Sequence, residues 1–157
     1  MMSLPQVGEP APPFELPNEQ GEMVSLNDFK GKAFILYFYP KDDTPGCTKE
    51  ACAFRDDYSA YERAAVEIVG VSADSPESHQ KFKEKYDLPF TLLADEGKEI
   101  CKRYGVLGKK KMFGKEFMGI NRTTFVIDEE GKISHVFENV KPASHSQELL
   151  GALGIDS

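Results

Sequence analysis

The chain has 157 residues, 40% hydrophobic and 29% charged, which fits one globular domain over residues 1–157 and excludes intrinsic disorder and a disulfide-stapled miniature fold. Nineteen basic against 26 acidic residues give a formal charge of −7, the wrong sign for neutralising nucleic-acid phosphates. The longest apolar run, Ala33–Tyr39, is seven residues and too short to cross a bilayer, so neither nucleic acid nor membrane is expected as a partner.

The first ten residues, MMSLPQVGEP, have no basic start and no apolar stretch, so no signal peptide is expected. Three cysteines are an odd number and too few for a secreted disulfide framework. A cytoplasmic chain with reactive rather than structural thiols is the expectation.

Residues 1–13 carry four prolines and no periodicity, an irregular leader. Phe14–Pro17 and Glu22–Ser25 flank a turn-rich Asn18-Glu19-Gln20-Gly21 and predict a short hairpin. Ser25 to Asp28 predicts one capped helical turn, ended by Gly31. Ala33–Tyr39 is unbroken and β-rich, the pattern of a central strand buried on both faces. Cys47, Ala51, Phe54, Tyr58, Tyr61 and Ala65 then recur at spacings of 4, 3, 4, 3 and 4, predicting an amphipathic helix over 45–65 with Thr44 as N-cap and Pro45 in the first position.

Val66–Ala73 predicts a second strand, and Ser75-Pro76 opens a polar helix to about Tyr86. A short strand at Phe90–Ala94 precedes a short helix, Lys98–Tyr104, closed by Gly105. Thr123–Asp128 and Lys132–Glu138 flank Glu129-Glu130-Gly131 as a hairpin, and Pro142–Leu153 is a final helix. The order means a central mixed β-sheet flanked by helices, with an N-terminal hairpin extension: a thioredoxin-like α/β arrangement.

The chemistry concentrates in Tyr39-Pro-Lys-Asp-Asp-Thr-Pro-Gly-Cys47-Thr-Lys-Glu-Ala-Cys52. A loop carries a cysteine from the carboxyl end of a buried strand to the first turn of a helix, where free amides and the helix dipole favour an anion such as a thiolate. Side chains from 41 to 57 sum to −2 and oppose that anion, so a cation from elsewhere is required. Arg122, polar at the start of a buried strand, is the candidate.

Pro40, Thr44 and Cys47 match the P-x-x-x-[T/S]-x-x-C signature of peroxiredoxins, and Arg122, in Asn-Arg-Thr-Thr-Phe, falls where that family has its active-site arginine. Cys52, five residues after Cys47, resembles the peroxiredoxin Q or bacterioferritin-comigratory branch, and the likeness runs from about Pro5 to Leu153. The resemblance implies a thiol peroxidase without metal, haem or flavin, acting on hydrogen peroxide and organic hydroperoxides and recharged by thioredoxin or a similar dithiol. Cys47 becomes the peroxidatic nucleophile that passes through a sulfenic acid, and Cys52 the resolving thiol. Thr44 hydrogen-bonds the peroxide, Pro40 shields the thiolate, Arg122 stabilises sulfur and oxygen, and Glu50 orients Arg122 through a bidentate pair. Ionising an ordinary thiol completely at pH 7 gains at most about 30-fold, so donors around the developing charge must supply the rest.

In an undistorted helix, residues five apart have Cα atoms ~8.5–9 Å apart, beyond the ~6.8 Å limit of a disulfide. Resolution by Cys52 therefore requires the first turns to unwind. An intramolecular pair suggests a monomer. Cys101 lacks any motif and reads as structural; His79, His135 and His145 read as surface or packing residues. Lys109–Lys111 with Lys115 reads as a solvated loop, with docking to an acidic partner the lesser alternative. Two rival functions remain: a disulfide oxidoreductase, disfavoured by C-x4-C where such motifs use C-x2-C, and a redox-sensing or binding module that does not turn over.

Overall fold

Asn18 closes the first turn through its side chain, which accepts from the amides of Gln20 and Glu22 at 2.9 and 3.0 Å. It thereby joins β1 (Glu15–Pro17) to β2 (Met23–Ser25) as an antiparallel hairpin. These belong to a computed structural model that describes residues 4–156. The first three leader residues, on which the signal-peptide reading also rests, lie outside that range. A 3-10 turn, Leu26–Phe29, follows, with the Ser25 amide donating to Asp28 Oδ2 at 2.9 Å and Gly31 leaving at a positive φ of 84°.

The chain then runs through β3 (Ala33–Phe38), α1 (Pro45–Asp56), α2 (Tyr58–Arg63), β4 (Val66–Ser72), α3 (Pro76–Tyr86), β5 (Thr91–Ala94) and α4 (Glu99–Arg103). It continues with β6 (Leu107–Met112), β7 (Lys115–Ile120), β8 (Thr123–Ile127), β9 (Ile133–Phe137) and α5 (His145–Ala152). Five strands form the central sheet in the order β5-β4-β3-β8-β9. β3 and β4, and β4 and β5, are parallel; β8 runs antiparallel to β3 and to β9.

Alternate residues of β3 feed two cores, because successive side chains of a strand point to opposite faces. Phe34, Leu36 and Phe38 join Phe125, Ile127, Ile100 and Cys101 on one side. Ile35, Tyr37 and the following Tyr39 join Cys47, Ala51, Phe54, Phe82 and Leu149 on the other. The sheet thus stands between Cys101 and Cys47. Burial, with Asp95 beside it, pushes the Cys101 thiol well above the ordinary range.

Three sequence expectations need correction. The helix expected over 45–65 is two helices, kinked at Asp57. Asp57 Oδ2 accepts from Ser146 Oγ at 2.7 Å and Gln147 Nε2 at 3.0 Å, and Tyr61 Oη donates to the Ser146 carbonyl, so α5 holds the bend. The helix expected from Pro142 begins three residues later, at His145.

Thirdly, the lysine-rich segment expected as a loop is the hairpin β6-β7, with Lys110 paired to Phe117 and Met112 to Lys115. Its strands from Lys111 to Met118 are exposed on both faces, so no alternation of apolar and polar residues marks them. Of the two readings given for the histidines, packing holds: His79 and His145 are buried and hydrogen-bonded, and His135 is half-buried.

Alkylation of the native reduced protein followed by mass analysis should modify half-buried Cys52 and spare Cys101 until denaturant is added. Equal labelling of both in the native state would contradict this packing.

Candidate active site

β3 ends at Phe38, Pro40 two positions on is exposed, and residues 41–44 turn the chain into α1. Pro45 takes the first helical position, where its missing amide costs nothing. Thr44 occupies the N-cap in an extended conformation but makes no side-chain cap. Its hydroxyl donates instead to the Lys41 carbonyl at 2.9 Å, leaving its oxygen lone pairs free to accept. The first intrahelical bond is Thr48 N to Thr44 O at 2.8 Å, so the amides of Gly46 and Cys47 have no helical partner.

Cys47 lies on that first turn with 2% of its surface exposed. Arg122, between β7 and β8, reaches it from 75 positions away: Nη2 donates to Cys47 Sγ at 3.2 Å, and Nη1 donates to Glu50 Oε1 at 3.3 Å. The guanidinium fork is therefore divided between sulfur and carboxylate, and the expected bidentate Arg122–Glu50 pair is corrected to a single contact. A planar group with several fixed donors serves both partners in a set geometry.

Glu50 is 1% exposed, and desolvation raises its carboxyl from an ordinary 4.5 to about 7, with Arg122 pulling the other way. Tyr37, on the same side of β3, is held well above its ordinary range by burial and then by Glu50 and Cys47, and its hydroxyl has no hydrogen-bond partner.

Gly46 is a site residue the sequence reading missed. A Cβ there would lie 2.6 Å from Arg122 Nη2, so only glycine lets the guanidinium cross the helix terminus to the sulfur. The sequence signal was a glycine inside a helical first turn, where it is otherwise unfavourable.

The local negative charge is dispersed away from the thiol. Asp43 accepts from Lys85 Nζ and Tyr86 Oη, both at 2.8 Å, Asp56 pairs with Arg55, and Asp57 faces α5. Asp42 is buried: its carboxylate accepts from Tyr39 Oη at 2.6 Å and Ser78 Oγ at 2.8 Å, and lies 2.7 Å from His79 Nδ1. Its amide donates to Asp74 Oδ2. This network, unforeseen in the sequence, ties the loop before Thr44 to α3. Asp42, Asp74 and His79 offer ligand atoms within 4.8 Å of one another, but those atoms already serve these hydrogen bonds.

Residues 7–136 match the model of the AhpC/TSA family. The chain belongs to the AhpC/TSA family. Within it the relatives are peroxiredoxins of the Bcp group: a putative peroxiredoxin Bcp of Coxiella burnetii is 57% identical, over 94% of this chain and 98% of that one. Among solved structures, peroxidoxin BcpB of Mycobacterium tuberculosis superposes with a TM-score of 0.85 at 34% identity, covering 98% of this chain and 99% of that one. The bacterioferritin comigratory protein of Xanthomonas campestris, described for its alkyl peroxide reduction activity, gives 0.85 at 35% identity, with 90% of each chain covered. The fold is accordingly the thioredoxin-like peroxiredoxin fold, and the chain is a thiol peroxidase.

In this peroxiredoxin the expected site residues fall at one end of β3. Cys47, Glu50 and Arg122 are in contact, Thr44 stands at the N-cap position of the same turn and Pro40 begins the loop. Cys52 is half-buried further along α1, and all three thiols are free.

Gly46→Ala should leave the fold as stable as before or slightly more so, since Arg122 Nη2 is the movable end of a long side chain. It should cost peroxide reduction about tenfold or more by displacing one donor. Unchanged turnover would contradict this use of Gly46.

Glu50 gives a second test. Its folded value lies above its unfolded one, so the native state binds more protons between about pH 4.5 and 7 and loses stability as pH rises through that window. Denaturant titrations should show Glu50→Gln lacking a decline of ~3 kcal/mol that the unsubstituted protein shows there.

Proposed function

We propose that Cys47 is the peroxidatic residue of a two-cysteine peroxidase cycle. The observation that supports it is the Arg122 N–H donated to Cys47 Sγ at 3.2 Å, on a helix terminus with unpaired amides. A positive donor at that distance favours sulfur as an anion and leaves the guanidinium beside the place where a peroxide must approach. Thiolate attack on the outer peroxide oxygen forms the S–O bond and breaks the O–O bond. The leaving alkoxide takes a proton as alcohol, and Cys47 becomes a sulfenic acid.

Arg122 holds the two oxygens as charge moves between them, the Thr44 hydroxyl accepts from the peroxide O–H, and Pro40 limits water at the loop. Glu50 keeps the guanidinium turned toward sulfur. The alkyl peroxides handled by the Xanthomonas relative, together with hydrogen peroxide, are the substrates this reading assigns here.

Cys52 then attacks the sulfenic sulfur, expelling water and forming a disulfide, which thioredoxin or a similar dithiol reduces. α1 is regular from Pro45 to Asp56, so Cα atoms five residues apart stand ~8.5–9 Å from one another and cannot be bridged in place. The first turns of α1 unwind in each cycle. Intramolecular resolution makes a monomer sufficient, and free thiols suit the reducing cytoplasm.

Cys47→Ser should abolish peroxide consumption while leaving the fold intact. Cys52→Ser should keep the first oxidation and block thioredoxin-coupled turnover; full coupled turnover in that variant would assign resolution elsewhere. Hydrogen exchange over residues 45–55 should rise several-fold or more in the oxidised protein, and equal protection in both redox states would contradict unwinding.

A further inference from the structure

The β6-β7 hairpin carries four lysines, at 109, 110, 111 and 115, against Glu116, a net +3 on a chain of −7. Its base is fixed: Gly119 and Ile120 are buried, and Lys98 Nζ donates to the Met118 carbonyl at 2.7 Å. Beyond that base the four residues of each strand, 109–112 and 115–118, span roughly 13 Å. At the tip, Phe113 and Gly114 both have positive φ, 54° and 78°, the mirror-image two-residue turn that favours Asn-Gly.

A phenylalanine is strained there, and at 96% exposure it packs against nothing. Met112, Phe117 and Met118 beside it are also exposed, at 57%, 43% and 44%. Neither turn chemistry nor core packing accounts for Phe113, and a local rule broken without structural gain points to function.

We infer that this hairpin is a peripheral docking element for an anionic lipid surface, with Phe113 entering the headgroup boundary and the lysines meeting lipid phosphates. Protein interfaces are depleted in lysine, whereas lysines flanking a projecting aromatic residue are what an anionic bilayer attracts. The sequence reading expected no membrane partner because no segment spans one, and among the described residues no helix is long and apolar enough to cross. Surface docking needs no spanning segment. β7 leads through Asn121 into Arg122, so the hairpin and the site share one segment of chain, but the docking does not rest on the peroxidase reading above.

Flotation of the full chain with vesicles tests it. The reduced protein should bind mixed phosphatidylcholine–phosphatidylglycerol vesicles at low ionic strength, ignore phosphatidylcholine alone, and release at about 0.5 M salt. Phe113→Asn, which suits the turn, should lower binding at least about fivefold and leave hydrogen peroxide reduction unchanged. Lys109→Glu with Lys111→Glu should abolish binding.

Absent binding of the unsubstituted protein, or equal binding by Phe113→Asn, would overturn the inference. So would a concentration-dependent dimer that Phe113→Asn dissolves, or a raised KM for the dithiol reductant in that variant, if lipid is ignored. Loss of peroxidase in Cys47→Ser with vesicle binding retained keeps the two readings separable.

Discussion

One guanidinium serves two groups that have little other polar support. Arg122 gives one N–H to the Cys47 sulfur and another to the buried Glu50 carboxylate, and both acceptors sit on the first two turns of α1. Burying a carboxylate without a partner is costly, and the raised Glu50 value shows that one arginine contact offsets the cost only in part. The site is therefore held in tension rather than saturated. The charge that serves the thiol is the same charge that makes Glu50 tolerable, and Gly46 is the gap through which it reaches both.

That arrangement depends on anchors on either side of the first turns of α1. Asp57 and Tyr61 bind Ser146 of α5, which anchors the kink, while Asp42 and Asp43 pin the preceding loop to α3. Between those anchors, residues 45–52 are kept helical by their own backbone bonds and by burial of Cys47 and Ala51. Local unwinding of two turns would leave the sheet, α3 and α5 in place, because neither anchor lies within the segment.

Much of this was legible in the sequence because it was local or periodic. The unbroken run Ala33–Tyr39 marked a central buried strand, which the structure gives as Ala33–Phe38. The need for a distant cation at Cys47 followed from adverse nearby charge, and Arg122 does lie against the sulfur. Other features had no local mark. The kink at Asp57 comes from α5, about 90 positions away, and leaves the 3.6-residue stripe nearly undisturbed. The Asp42–His79 pair joins residues 37 apart with no common period. Gly46 had only a weak local mark, and its cause, the Arg122 guanidinium, shows only in the fold. The β6-β7 hairpin lacks a buried face and therefore the alternation by which strands are recognised.

On the proposed cycle, a planar, forked donor at residue 122, and not positive charge alone, drives the first chemical step. Rapid-mixing measurement of the second-order rate between the reduced protein and hydrogen peroxide, for Arg122→Lys beside the unsubstituted chain, tests it most directly. Lysine keeps the charge but cannot serve sulfur and Glu50 in one plane, so the account predicts a loss of about 100-fold or more with the fold preserved. A lysine variant reacting within about threefold of the original would contradict it and leave charge alone as the cause.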